Sequence, residues 1–284
     1  MGLLHMSGAD EAQTGGFLPS EIDTTRPSIA RVYDAFVGGK DNFEVDREVY
    51  RQILQIAPEA ADTGRLCRAW LIRVVRFLAG EAGITQFLDL GSGLPTAENT
   101  HQAAQRVNPE ARVVYVDNDP VVAAHGRALL EENDRTRFVA GDLRHPATLL
   151  ADPVISAHLD LSRPIALIHS NTLHHVPDED RPGEVMSAYV DALASGSYLA
   201  ISHLHMPAPD DEHHALAQEA QVKFLHLMGS CIFRSRERIA GFFEGVELVE
   251  PGLGYLFDWW PDGPQDTPPA RGDHLLLGGV GRKP

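Results

Sequence analysis

From residue 86 onward the chain alternates short, nearly all-apolar runs with segments of helical period, and this alternation constrains the fold most. The runs are "QFLDLGSG", "ARVVYVDND", "TRFVAGD", "PIALIHSN" and "GSYLAISHL". Strands that are apolar on both sides are expected where helices cover both faces of a sheet. Strand and helix in strict alternation predict a doubly wound parallel sheet with helices on both sides. Beyond the fifth run, "HHALAQEAQVKFLHLMG" and "SRERIAGFFEG" read as helices, "VELVE" as a strand and "HLLLGGVGRK" as the closing strand. The irregular stretch 251–273 joins those last two strands, and no internal repeat is visible.

Three helical segments precede the first strand. Pro27 in a first turn, with Thr24 or Thr25 as cap, opens a helix through about Val37. Gly38 and Gly39 end it, and Asp41 with Glu44 three residues on makes a capping-box start for the next. A third helix from about Pro58 carries Leu66, Trp70, Val74, Phe77 and Leu78 on one stripe, which reads as core packing. Thr96 is expected to cap the helix after the first strand, and Asp119 with Pro120 the helix after the second. Residues 1–20 read as a disordered leader.

Composition narrows the function classes. A formal net charge of -16 with no basic run repels phosphate backbones, so nucleic acid is excluded as a partner. Two cysteines, Cys67 and Cys231, are too few for a disulfide framework or a thiolate zinc site. No apolar run approaches the roughly 20 residues of a membrane span, and the first residues lack a signal-peptide pattern. The chain therefore reads as cytoplasmic, with a homodimer left open.

In an open parallel sheet, ligands sit outside the carboxyl ends of the strands, where the strand order reverses. Gly91-Ser92-Gly93 follows the first strand directly, so a ligand can approach backbone there. A nicotinamide fingerprint needs a third glycine where Thr96 stands. Asp117 ends the second strand, where a carboxylate can accept both hydroxyls of a ribose. Asp142 ends the third, placed to accept from an adenine amino group. Each acid alone has a plain reading as a turn or a loop cap. Together with Asp89, they put acids at three successive strand ends and favour a nucleoside site.

With these motifs the sequence resembles class I S-adenosylmethionine-dependent methyltransferases over about residues 84–205. "FLDLGSG", "VVYVDNDP", "FVAGD" and "IHSNTLHHV" match the class's four successive motifs. The resemblance implies a Rossmann-like sheet of seven strands, the last antiparallel, and S-adenosylmethionine as cofactor. It also implies cofactor contacts from Asp89, Gly91, Ser92, Gly93, Asp117, Asn118, Asp142, Leu143 and Asn171. From about residue 22 to the C-terminus the chain is similar to one actinobacterial family of such enzymes, marked by Val32-Tyr33-Asp34 and Gly38-Gly39-Lys40-Asp41-Asn42. That likeness supplies no methyl acceptor. In this class N-terminal segments fold over the cofactor, which implies a helical lid over 21–83 and a methyltransferase domain over 84–284. A helical insertion at 207–245 would then lie near the acceptor. Tyr33, Phe36 and Phe43 would offer aromatic faces to the sulfonium, and Lys40 or Asn42 would hold the methionine carboxylate. Ser28 is expected to matter less than Tyr33.

His174, His175, His203 and His205 gather near two strand ends, without the carboxylate or thiolate spacing of a metal site. No metal is expected. His175 and His203 are the candidate general bases for a methyl acceptor. Trp259-Trp260, with Tyr255 and Phe257, either covers the acceptor or plugs one end of the sheet. The function expected is methyl transfer to a small molecule. The alternative is a non-catalytic S-adenosylmethionine- or nucleoside-binding protein with a regulatory or scaffolding role.

Overall fold

The computed structural model describes residues 23–95, 98–129, 133–263 and 268–284. The leader at 1–20 and the cap at Thr96 lie outside the described residues. Five parallel strands form the sheet's centre: β1 (Gln86–Leu90), β2 (Arg112–Asp117), β3 (Thr136–Ala140), β4 (Ala166–Ser170) and β5 (Tyr198–Leu204). Then come β6 (Glu247–Leu248), β7 (Gly254–Tyr255) and β8 (Leu276–Arg282). The order is β3-β2-β1-β4-β5-β8-β6, with the two-residue β7 also paired to β8. β8 runs antiparallel to both neighbours, Tyr198 facing Arg282 and Leu204 facing Leu276. This is the doubly wound, mostly parallel sheet expected from the sequence. Its order reverses between β1 and β4.

The two faces are separately filled, as strands buried on both sides require. On one face Trp70, Leu71, Val74 and Leu78 of α3 (Ala60–Gly80) pack on Phe87, Val113, Ile168, Ala200 and Val280. Ala103 and Ala104 of α4 (Thr100–Val107) and Val121 and Val122 of α5 (Pro120–Leu129) complete that layer. The opposite face packs Leu88, Leu90, Val114, Val116, Leu167 and Ile201 against α7 (Pro153–His158) and α8 (Pro182–Ala192), with α6 (Pro146–Leu150) alongside. Alternate residues of β1 thus serve opposite cores, which fixes its register. α3 is a layer of the domain and no part of a lid, because its apolar stripe is consumed by the sheet. Trp259 is fully buried against Trp70, with its indole N–H donated to Gly278 O at 2.9 Å. Arg73 of α3 holds the carbonyls of Trp259 and Leu256. The tryptophan plugs the sheet.

α1 (Ile29–Phe36) and α2 (Glu44–Leu54) stand apart on a small cluster of Val32, Val49 and Ile53. Phe224, Leu227 and Met228 of α9 (His214–Met228) cover that cluster, and α10 (Arg236–Ala240) follows α9. The caps differ from those read in the sequence. Ser28, not Thr24 or Thr25, is the N-cap residue of α1, while Thr25 is bonded to Asp23. α2 is capped by Asp46, whose carboxylate accepts from Phe43 N and Ser28 N and pairs with Arg31 Nε at 2.8 Å. One buried carboxylate therefore ties both helices together. Asp119 caps α5 as expected, accepting from Val121 N at 2.7 Å. Among the described residues no helix is long and apolar enough to cross a membrane.

Candidate cofactor and acceptor site

The loops after β1, β2, β3 and β4 converge where the strand order reverses. Gly91 adopts φ 74°, and a Cβ there would come within 2.4 Å of Thr172 Cγ2 in the loop after β4. Only glycine allows both the left-handed turn and that approach. Gly93 N donates to Asp117 Oδ2 at 2.8 Å, and Asp119 N donates to Asp117 Oδ1 at 2.9 Å. A carboxylate has roughly four acceptor positions, so Asp117 keeps about two for further donors. Burial pushes its pKa up to about 6, and the amide donors oppose that shift. Ser92 Oγ is buried in the same turn with no hydrogen-bond partner among the described residues. An orphaned hydroxyl, a glycine cradle and a desolvated acid with spare acceptor capacity fit a nucleoside with a polar tail.

The remaining predicted contacts divide. Asp89 is buried in β1, two residues before Gly91, and accepts from Thr100 Oγ1 at 2.6 Å. Its carboxyl is pushed up by burial, against the pull of Thr100 and the Arg68 charge. Asn118 is exposed. Leu143 packs near Gly91, while its carbonyl accepts from Tyr189 Oη at 2.8 Å. Asp142 does not stand free for an adenine: both of its oxygens accept from Arg144, which also bonds Asp180 at 2.7 Å. Asn171 takes φ 58°, a region that asparagine tolerates. Its N–H meets Ser202 Oγ at 3.0 Å, and its side chain meets Cys67 of α3.

The Gly-Gly-Lys-Asp-Asn motif is organised around Asp34. Its carboxylate accepts from Asp41 N at 2.9 Å and Asn42 Nδ2 at 2.8 Å, and a Cβ on Gly39 would overlap it at 1.9 Å. The Asn42 amide is consumed by this turn and by Arg47, and Lys40 is exposed. Among the described residues neither is bonded to the glycine turn after β1, so the carboxylate-binding role read for them rests on the sequence alone. Tyr33 is different. Its hydroxyl donates to Gly64 O at 3.3 Å on α3, beside Cys67 and Arg68, and burial raises its pKa. Arg68 is a residue that the sequence reading missed. Half-buried on α3, it donates to Asn99 Oδ1 at 3.2 Å and sends its charge toward Asp89 and Tyr33. The available signal was one cation sharing a helix face with Gly64 and Leu71.

The histidines have unequal surroundings. His203 is fully buried, with Nδ1 against Leu204 O at 2.7 Å and Nε2 against Arg234 Nη1 at 3.1 Å. Both nitrogens are committed, so His203 lacks the free lone pair that a general base needs. His175 is half-buried, with Nδ1 3.0 Å from Ser230 Oγ and, among the described residues, no hydrogen-bond partner at Nε2. Burial lowers its pKa to about 4 and that of His203 to about 3, so both are neutral near pH 7. Among the described residues, no group of three or more His, Cys, Asp or Glu side chains is arranged to hold a metal ion.

Comparison with known proteins places this geometry. The model of the S-adenosyl methyltransferase family matches residues 16–284. A crystal structure of a candidate methyltransferase from Thermobifida fusca is 44% identical, with a TM-score of 0.87, over 94% of this chain and 98% of that one. A DUF574 family protein from Streptomyces avermitilis is 38% identical, also with a TM-score of 0.87, over 93% of this chain and 100% of that one. An O-methyltransferase family protein from Burkholderia thailandensis shares the fold alone, at 15% identity and a TM-score of 0.51 over 81% of this chain and 61% of that one. None of the curated proteins matches. The glycine turn, the strand-end acids and a family match over almost the whole chain agree: the chain belongs to the S-adenosyl methyltransferase family.

Proposed function

We propose that the protein transfers the methyl group of S-adenosylmethionine to a small-molecule acceptor. The observation that carries this reading is Asp117, a buried carboxylate fixed by the Gly93 and Asp119 amides at the switch point, with acceptor capacity to spare. Asp117 holds the ribose hydroxyls, and the Gly91-Ser92-Gly93 backbone follows the amino-acid tail. Arg68 replaces Lys40 as the cation for the carboxylate, because it stands beside Asp89 while Lys40 faces solvent. Asp142 contributes to the adenine pocket only by sharing itself with Arg144. Tyr33 supplies an aromatic wall between α1 and α3, where a cation over a ring gains about 0.5–2 kcal/mol.

The bound cofactor supplies an electrophilic methyl group on a sulfonium. The chain's own work is to hold the acceptor in line, exclude water and take a proton where the acceptor has one to lose. His175 is the residue for that last task, because it is neutral and keeps Nε2 uncommitted. A free nitrogen there favours catalysis over a purely binding or scaffolding role. The test is an acceptor screen with labelled S-adenosylmethionine on wild type and His175→Ala. Methyl transfer lost in the variant, with cofactor binding retained, is the expected result. Transfer at the wild-type rate would remove His175 from the mechanism.

A further inference from the structure

The turn that carries His174 and His175 is held from behind by one short segment after α9. Arg234 is 1% exposed. Its Nη1 donates to Leu173 O at 2.9 Å and approaches His203 Nε2 at 3.1 Å. Its Nη2 donates to Val176 O at 2.7 Å and to Asp178 Oδ1 at 2.8 Å. Leu173 and Val176 bracket the two histidines, so one guanidinium grips the turn at both ends. Four residues earlier Ser230 Oγ meets His175 Nδ1 at 3.0 Å, and Ile232 N donates to His174 O at 2.7 Å. Between those contacts Cys231 is held at φ 125°, where a side chain is strained. A strained backbone persists where its surroundings over-determine it. Here they are the two histidine contacts on either side.

A buried charge is a costly way to close a turn that apolar packing could close. Its geometry is what packing cannot supply: a planar fork that fixes two carbonyls and one imidazole at once. We propose that Arg234 is a positioning residue for the acceptor site. By clamping Leu173 O and Val176 O, it keeps the His175 ring turned with Nδ1 on Ser230 and Nε2 open toward the acceptor. It also fixes the tautomer of His203, whose Nε2 must accept from the guanidinium while its Nδ1–H donates to Leu204 O. The proposal rests on the reading of His175 as the acceptor's base, and it adds which residue makes that ring a base. Ser230 can either donate to Nδ1 or accept from it. Only the second leaves a lone pair on Nε2.

Proton-detected NMR of the full chain with ¹⁵N-labelled histidine reads this directly, the His175 signals being assigned by their loss in His175→Gln. The wild type at about pH 7 is expected to show His175 in the Nδ1–H form alone. In Arg234→Lys the charge remains, but the two-carbonyl clamp is lost. His175 is then expected to give averaged ring shifts from mixed tautomers, while affinity for S-adenosylhomocysteine stays within about twofold. Wild-type shifts in a folded Arg234→Lys protein would overturn the positioning role. A wild-type His175 in the Nε2–H form would instead overturn the reading of His175 as base, so the two failures are distinct. If the lysine variant does not fold, Asp178→Asn weakens the same clamp from its exposed end. Unchanged His175 shifts in that variant would then count against the proposal.

Discussion

At the scale of single residues, Asp117 makes the sharpest claims. Asp117→Asn replaces one acceptor oxygen by an NH2 donor, which leaves a ribose hydroxyl or the Gly93 or Asp119 amide unpaired and should cost about 1–3 kcal/mol of affinity for S-adenosylhomocysteine. Its pH dependence follows from its pKa near 6 in the folded chain. The folded protein keeps this proton up to about pH 6, whereas the unfolded chain releases it near pH 4. Between those values the native state binds more protons, so this group's contribution to stability falls as pH rises. Hydroxyl donors favour the carboxylate, so binding expels the proton. Affinity should therefore climb from about pH 5 to about pH 7 and level off above. Calorimetry in buffers of different ionisation enthalpy would register proton release only at the lower pH, and a flat profile would take Asp117 off the ribose. Gly91→Ala tests the cradle. A methyl 2.4 Å from Thr172 at φ 74° forces the two loops apart, with an expected loss of about 1–3 kcal/mol of stability. A thermal melt matching wild type would mean that the loops give way freely.

At the scale of elements, the five parallel strands and β8 were legible because both sheet faces are buried there, which writes them as continuous apolar runs, whereas the two-residue β7 lies in the stretch read as irregular. Caps were less legible. Asp41 and Asp46 both stand near the start of α2, and only packing decides that Asp46 turns inward to Arg31. Lys40 and Arg68 show the same limit for the site. Sequence spacing does not tell which helix side meets the strand ends, so Lys40 and Asn42 within a conspicuous motif were named and Arg68 on a core helix was not weighed. Ser28 was expected to matter less than Tyr33; its hydroxyl donates to Asp119, whose N–H in turn donates to Asp117. This chain links Asp117 to the N-cap residue of α1. On the other flank Val32, Val49 and Ile53 meet Phe224, Leu227 and Met228 of α9. α1 and α2 thus rest on a small satellite core, and such units open more readily than the main core. Saturating S-adenosylhomocysteine should slow amide exchange across 29–43, and Ser28→Ala should weaken that protection without touching β1 or β4. Exchange unchanged by the ligand would reduce α1 and α2 to a fixed cover.

At the scale of the whole molecule, two packed layers hold a sheet whose loops gather glycines, acids and a histidine turn at one edge, and α1, α2 and α9 stand at that edge. The family match and the fold agree with this arrangement. The claim beneath all of it is that the switch point is a site for S-adenosylmethionine. Isothermal titration of the full chain with S-adenosylmethionine, S-adenosylhomocysteine and NAD tests it most directly. The first two should bind one per chain, more weakly in Asp117→Asn, and NAD should give no heat of binding. A folded protein that binds neither sulfur ligand, or prefers NAD, would contradict the account.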